Sequence, residues 1–423
     1  MQQVFASIIT IGDELLIGQV TDTNSPWMAQ ELNKTGVWLK RRVAVGDLRE
    51  EIVHALDEQS KDCQIIIMTG GLGPTADDIT KEVLNDYFGG KMVTDQRTLE
   101  HIQYLFQKVY QRPIIQRNLE QANVPDVCTV LFNERGSAPG MWFERNGKVF
   151  VSLPGVPHEM KGLMLKEVLP RLQQHFTMPF ISHRTLLTAG VGESFLAEMI
   201  KDWEAQLPPH IKLAYLPHYS MVRLRITGSG SAKEKLEQEL EQQFAVLKNL
   251  VAEYLVVDED KSLQQVVGNL LKQSNSTMST AESCTGGYIA HLITSIAGSS
   301  EYFRGSVVSY ANEVKTGVLK VNQETLLQDG AVSESTVRQM VQGALLTLKT
   351  DFAVATSGIM GPGGGSATKP VGTVWIAAGN KDEIVTQLFH FRFDRARNIE
   401  MTAINALNLL RKFIASRQSA NSC

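Results

Sequence analysis

Apolar positions along this chain alternate between two periods. Phe5 to Ile11 is a run of the buried-strand kind, and residues 24–34 then repeat their apolar side chains at helical spacing. Residues 37–43 alternate, 50–59 are helical again, and 64–68 read as a strand, continuously apolar after Gln64. Strands without alternation are buried on both faces, so this βαβαβ rhythm predicts a parallel sheet with helices on either side. The pattern continues through helices over 80–87 and 95–110 and a strand over 149–153. A further helix follows Pro154-Gly155-Val156-Pro157 and runs to about Phe176.

A smaller unit comes next. Residues 184–191, 212–216 and 221–227 read as strands, and 193–203 and 232–250 as helices, the second strongly charged. Gly228-Ser229-Gly230-Ser231 reads as a turn within this unit, and Asp258-Glu259-Asp260 as the boundary after it. The last third is α/β once more. Helices are expected over 263–272, 288–296, 333–348 and 396–414, and strands over 277–281, 306–310, 352–356, 372–378 and 384–391. The fold class is therefore α/β, with three domains expected over 1–176, 178–255 and 258–418. The middle domain is small and α+β, carries no chemical motif, and is expected to position the other two.

Composition narrows the function. In 423 residues, 43% hydrophobic and 20% charged content is that of a soluble globular protein. A net charge of −4 supplies no basic field, so no nucleic-acid partner is expected. No apolar run reaches spanning length, and the N-terminus lacks a basic, signal-type segment, so no membrane partner is expected and a cytoplasmic location is. Cys63, Cys128, Cys284 and Cys423 are scattered, which argues against a disulfide framework and a thiolate zinc site.

Two segments carry candidate chemistry in the first third. Gly12-Asp13-Glu14-Leu15-Leu16-Ile17-Gly18, followed by Asp22-Thr23-Asn24, lies at the carboxyl end of the first strand. Thr69-Gly70-Gly71-Leu72-Gly73-Pro74-Thr75-Ala76-Asp77-Asp78 lies at the carboxyl end of the third. Ligands of open α/β sheets bind outside those ends. A glycine-rich loop lets backbone approach phosphate, and Asp13, Glu14, Asp77 and Asp78 offer oxygen ligands to a divalent cation. Such a pairing suits pyrophosphate cleavage, because it neutralises charge on the departing phosphate. Asp77 and Asp78 equally suit capping of the next helix.

The last third opens on Ala281-Glu282-Ser283-Cys284-Thr285-Gly286-Gly287, between a strand and a helix. Small hydroxyl residues and a glycine pair at such a turn leave N–H groups for an anion, and the loop also holds candidate nucleophiles. A serine that hydrolyses an amide needs a base neutral near pH 7, and a lysine serves if burial lowers its pKa. Tyr310 and Lys315 flank a strand-to-helix turn and can face one cleft.

These motifs resemble a known family. The two N-terminal loops, with Leu153-Pro154-Gly155-Val156-Pro157 and Glu159-Met160, look like the N-terminal domain of the CinA family, which is similar to molybdopterin-binding domains of three-layer α/β/α form. The resemblance implies a metal-dependent ADP-ribose pyrophosphatase giving AMP and ribose 5-phosphate. Gly12, Asn24, Gly70, Gly71, Gly73 and Thr75 would bind the nucleotide, and the four carboxylates a divalent metal. The C-terminal loop, with Gly298-Ser299-Ser300, Tyr310, Asn312, Lys315, Gly330-Ala331-Val332-Ser333 and Lys369-Pro370-Val371-Gly372-Thr373-Val374, is similar to the family's α/β nicotinamide mononucleotide deamidase domain, which needs no cofactor.

Guided by that resemblance, Ser300 is the expected nucleophile, with Ser283 the alternative and Cys284 a third. Lys315 and Tyr310 would handle protons. Ser283, Thr285, Gly286 and Gly287 would bind phosphate or order oxyanion donors, and Arg397 would meet the nucleotide phosphate or carboxamide. Each residue also has a plain structural reading: Ser300 as a turn residue, Tyr310 as core, Lys315 as a solvated helix residue, Arg397 as a surface ion pair. Met360 stands where the family usually has a small residue and would narrow the pocket. Small-molecule nucleotides are the expected partners, and a homodimer is implied by the resemblance. The competing readings are a non-catalytic nucleotide- or molybdopterin-binding scaffold acting in competence or the DNA-damage response, and molybdopterin adenylyl transfer by the first domain.

Overall fold

The computed structural model describes residues 3–219 and 221–421, and side chains as far as residue 418; Cys423 and the first two residues lie outside the described residues. By its packing the chain separates into two compact units, Met1–Ser182 with Thr227–Glu239, and His183–Ile226 with Leu240–Cys423. The segment expected as a middle domain is divided between them.

The first unit is built on strands β1 (Phe5–Ile11), β2 (Trp38–Val45), β3 (Ile65–Thr69), β4 (Met92–Thr94), β5 (Asn123–Pro125), β6 (Thr129–Leu131), β7 (Gly140–Arg145) and β8 (Lys148–Leu153). Six of them form one sheet in the order β2-β1-β3-β8-β7-β6, and β4 pairs with β5 apart. β2, β1, β3 and β8 are mutually parallel, while β7 and β6 add antiparallel strands at one edge. Successive residues of β1 and β3 point to opposite faces, and both faces are buried. Ile8, Ile65 and Ile67 pack with Met28 and Leu32 of the helix Asn24–Lys34 and with Met160 and Met164 beyond β8. Ile9, Ile66 and Met68 pack with Ile52 and Leu56 of the helix Arg49–Asp62 and with Val83 and Leu84 of the helix Thr80–Phe88. A three-layer α/β/α arrangement follows, as the buried-strand runs predict. The helix expected over 95–110 is instead an α-helix, Gln96–Tyr104, continued by a π-helical turn, Leu105–Tyr110.

Strands β9 (Phe180–Ala189), β10 (Ile211–His218), β11 (Met221–Gly230) and β12 (Leu255–Val257) make a sheet of order β10-β11-β9-β12. The turn expected at Gly228-Ser229-Gly230-Ser231 is corrected here. β11 runs extended through Gly230, and the helix Lys233–Leu250 begins shortly after. Glycine permits a turn but does not impose one, since without a neighbouring proline the backbone can stay extended.

The C-terminal sheet holds β13 (Met278–Glu282), β14 (Phe303–Val308), β15 (Phe352–Gly358), β16 (Thr373–Gly379) and β17 (Ile384–His390), in the order β14-β13-β15-β16-β17. The first three are parallel, and β16 and β17 are antiparallel. On one face Met278, Val354 and Ile376 pack with the helices Leu263–Gln273, Tyr288–Thr294 and Arg395–Asn421. On the other, Ala281, Ala353, Ala355 and Ala377 pack with the helix Glu334–Leu348. Among the described residues no helix is long and apolar enough to cross a membrane.

Candidate functional site

In the first unit the carboxyl ends of β1, β3 and β8 deliver their loops to one edge of the sheet. The loops enclose a cavity of about 490 Å³, within the range of small-ligand pockets. Gly12, Glu14, Asn24, Gly70, Gly71, Gly73, Asp77 and Asp78 line it as the sequence suggests, together with Asp47 and Glu159. Gly71 has φ 63°, and a β-carbon there would run into the Thr80 hydroxyl, so the loop closes against its helix only with glycine. Asn24 donates through Nδ2 to the Gly155 carbonyl at 2.7 Å. Its Oδ1 is buried with no hydrogen-bond partner, an acceptor awaiting a donor.

The carboxylates do not form the set expected of a metal site. Asp78 accepts from the backbone N–H of Gly73 at 2.8 Å and of Thr75 at 2.9 Å, and from the Thr75 hydroxyl, so it closes the turn. Thr75 and Asp13 are not among the residues lining the cavity. Asp13 accepts from the N–H of Asp47, and its own N–H donates to the Asp47 carboxylate. Burial pushes Asp47 above the ordinary carboxylate range, and the charges of Asp13, Glu14 and Asp77 add to that. Among the described residues no three His, Cys, Asp or Glu side chains are grouped to hold a metal. The donors present fit a cation that brings most of its ligands with it, as magnesium on a diphosphate does, and do not fit a preformed cage. Asp47 carried a readable signal, since it follows the second parallel strand as the other loops follow theirs.

In the second unit the loop after β13 is organised around Glu282. Its fully buried carboxylate accepts from the N–H groups of Gly287 at 3.0 Å, Ile289 at 3.0 Å and Ala290 at 2.8 Å. The Gly286 N–H is taken by the Ser283 carbonyl at 3.2 Å. Thr285 is buried, with its hydroxyl 2.8 Å from that of Thr356. Of the residues expected to meet a phosphate or an oxyanion, Gly286 and Gly287 thus have their N–H groups taken within the chain, and the anion at Gly287 is one the chain supplies itself.

Ser283 meets Lys315. Lys315 is 1% exposed and reaches back from the short helix Asn312–Gly317. Its Nζ lies 3.1 Å from Ser283 Oγ, 2.6 Å from the Ser309 carbonyl and 3.4 Å from the Tyr310 carbonyl. β14 ends at Val308, two residues earlier than the sequence suggests, which frees both carbonyls to turn towards the amine. No carboxylate lies within salt-bridge distance of Lys315 among the described residues, and burial pulls its pKa below the ordinary lysine value. Burial also pushes the Cys284 thiol up to about 12, so the neighbouring cysteine is a thiol and a poor nucleophile.

Ser300 is elsewhere. It is exposed in the turn Ser299–Glu301, ahead of β14. β14 runs parallel to β13, with Phe303 beside Met278 and Val308 beside Glu282, so Ser300 and Ser283 sit at opposite ends of the sheet. Tyr310 offers Lys315 its carbonyl; its exposed hydroxyl accepts instead from Arg395 at 3.0 Å, and Arg395 also donates to the Gly361 carbonyl at 2.9 Å. Arg395, not Arg397, is the arginine bonded to Tyr310; the Arg397 guanidinium lies 4.1 Å from the centre of the Phe393 ring. Met360 does not narrow a pocket. Its side chain, 3% exposed, belongs to the core with Ile289 and Phe391, and its carbonyl accepts from Asn398.

Residues 7–174 match the family described as probable molybdopterin binding domain, residues 183–256 the damage-inducible protein CinA KH domain, and residues 260–414 the CinA C-terminal domain. A CinA-like protein of Cytophaga hutchinsonii is 48% identical over 97% of this chain and 98% of its own length. Another from Flavobacterium psychrophilum is 44% identical over 98% of this chain and 99% of its own. Among solved structures, a competence/damage inducible protein from Agrobacterium tumefaciens is 41% identical, over 35% of this chain and 91% of its own, with a TM-score of 0.35.

Proposed function

The chain belongs to the CinA family, and we propose on that premise that it hydrolyses pyridine-nucleotide breakdown products at two separate sites. The second unit would convert the carboxamide of nicotinamide mononucleotide to a carboxylate and release ammonia. The observation that carries this is the buried Lys315 amine 3.1 Å from Ser283 Oγ. An ammonium has three donors and no acceptor. As a free amine, Lys315 keeps two N–H bonds to the carbonyls of Ser309 and Tyr310 and turns its lone pair to the Ser283 hydroxyl. Ser283 Oγ then bonds to the carboxamide carbon as its proton passes to Lys315. The resulting ammonium returns a proton to the departing nitrogen, ammonia leaves, and an acyl ester remains on Ser283. Water attacks that ester, Lys315 takes the water's proton and hands it to Ser283 Oγ, and the carboxylate product is freed.

The first unit would cleave ADP-ribose to AMP and ribose 5-phosphate. Support comes from the cavity at the strand ends, its glycine loop, and Glu14, Asp47 and Asp77 on its wall. A divalent cation shared with the substrate's phosphates would neutralise charge on the departing group. The chain's own part is to hold the diphosphate against the Gly70–Gly73 backbone.

The deciding measurement is ammonia release from nicotinamide mononucleotide by the wild type, Ser283→Ala and Ser300→Ala. Loss of turnover in Ser283→Ala alone, by at least about a thousandfold, is expected. Absence of ammonia from the wild type would leave the second unit as a binding module, and equal loss in Ser300→Ala would refute the assignment of Ser283.

A further inference from the structure

The cavity of the first unit contains a carboxylate that the diphosphate chemistry does not use. Glu159 lies in the first turn of the helix Pro157–Leu163 and lines the cavity. Its Oε2 accepts from Asn133 Nδ2 at 2.6 Å. Asn133 is 3% exposed and locked in turn, since Nδ2 also donates to the Ala138 carbonyl at 2.9 Å and Oδ1 accepts from the Arg135 N–H at 3.0 Å. Arg135 closes the arrangement by donating to the His158 carbonyl at 3.0 Å. A β-carbon on Gly136 would collide with the Glu159 carboxyl group, so the loop is shaped to lie against it. No Lys, Arg or His lies within salt-bridge distance of Glu159 among the described residues. A half-buried carboxylate has thus been oriented by a dedicated loop and then left without a cation.

Such a group repels phosphate and accepts hydrogen bonds. It is not the only acceptor of this kind in the cavity. Asn24 Oδ1, buried and unpartnered, belongs to the side chain that grips Gly155, four residues before Glu159. Two fixed acceptors beside the segment 154–157 call for a ligand rich in donors. Within a nucleoside diphosphate sugar those donors are the vicinal hydroxyls of ribose, and a carboxylate that takes a ribose hydroxyl is a recurrent way of reading one.

Resting on the pyrophosphatase reading of this unit, we propose that Glu159 holds a ribose diol of the substrate and makes the site selective for ribose over deoxyribose. A site built to bond a hydroxyl rejects the analogue that lacks it, because its polar groups are then left unpaired.

The test measures AMP release from ADP-ribose and from its two monodeoxy forms, lacking the 2′-hydroxyl of the adenosine ribose or the 2″-hydroxyl of the terminal ribose. Wild type and Glu159→Gln are compared on all three. The wild type is expected to disfavour one deoxy form by at least about tenfold in kcat/KM, and that form identifies which ribose is held. Glu159→Gln keeps the size of the side chain and an oxygen for Asn133. It is expected to raise KM for ADP-ribose about tenfold with kcat within about twofold, and to erase the discrimination. A ribose-to-deoxyribose ratio that is the same in both proteins overturns the role of Glu159 and leaves the pyrophosphatase reading intact. If the wild type cleaves none of the three, that reading fails separately. Calorimetric binding of ADP and 2′-deoxy-ADP to both proteins then decides on Glu159, with unequal affinities in the wild type and equal ones in the variant as the supporting result.

Discussion

Replacing Lys315 by methionine removes the amine and keeps most of the side chain's length and apolar volume. A correctly placed base is worth about a hundredfold to ten-thousandfold in rate, so kcat for ammonia release should fall by at least about a hundredfold. Two energetic changes oppose one another in the fold. The short bond from Nζ to the Ser309 carbonyl, at 2.6 Å, is lost, and leaving a buried acceptor unmade costs about 1–3 kcal/mol. The penalty for burying an amine that tends to charge disappears, so the net change stays within about 2 kcal/mol and the variant folds. Because burial depresses the Lys315 pKa from 10.5, the unfolded chain holds the proton over a range where the folded chain does not. Wild-type stability therefore carries a penalty that is full below the folded pKa and relieved as pH rises towards 10.5; the variant lacks that slope. The same titration gives the wild-type kcat/KM an acid limb, rising as Lys315 loses its proton at a pH below the ordinary lysine value. Ammonia release across pH, beside urea unfolding at two pH values, checks both. A folded Lys315→Met protein that keeps more than a tenth of the wild-type kcat, or the same acid limb, would refute the assignment of the base.

Glu282→Ala should cost the second unit about 3–5 kcal/mol, because three N–H groups at this buried carboxylate lose a charged acceptor; a urea midpoint displaced by the equivalent of less than about 1 kcal/mol would count against that account of the loop. Gly71→Ala places a β-carbon at φ 63° against Thr80 and should lower AMP release from ADP-ribose at least about tenfold while ammonia release is unchanged. Equal loss of both activities would mean that the change acts through folding of the whole chain.

Much of the framework is legible in the sequence because burial leaves a periodic trace. β1 and β3 are buried along nearly their whole length since their residues face one of two cores, so the runs are apolar but for Ser7, Thr10 and Thr69, and their strand ends locate the glycine loops without further information. The antiparallel edge leaves a weaker trace, since β6 is only three residues long and the apolar part of β7 is the short run Met141–Phe143 before the charged Glu144 and Arg145. The C-terminal site is half legible. Lys315 and Ser283 stand out as residue types, but their meeting depends on how far β14 runs, and a strand two residues longer would have pointed the Ser309 and Tyr310 carbonyls elsewhere. Ser300 misleads because a pair of serines after glycine suits a nucleophile and a turn equally, and only the parallel pairing of β13 with β14 reveals that it occupies the wrong end of the sheet. Arg395 and Arg397 are two residues apart at the start of one helix, and sequence spacing does not say which faces Tyr310.

The carboxylate of Glu282 decides how this loop meets its solvent. In many nucleotide-binding loops the anion arrives with the ligand, so the empty loop is loose and inorganic phosphate competes for it. Here the anion is a permanent side chain, and the turn from Ser283 to Gly287 is held by the chain's own carboxylate. The entropy of fixing it is lost once, as the chain folds, and not again at each encounter with substrate. An anion in the buffer meets N–H groups of Gly287, Ile289 and Ala290 that are already taken, and Ser283 already lies against Lys315.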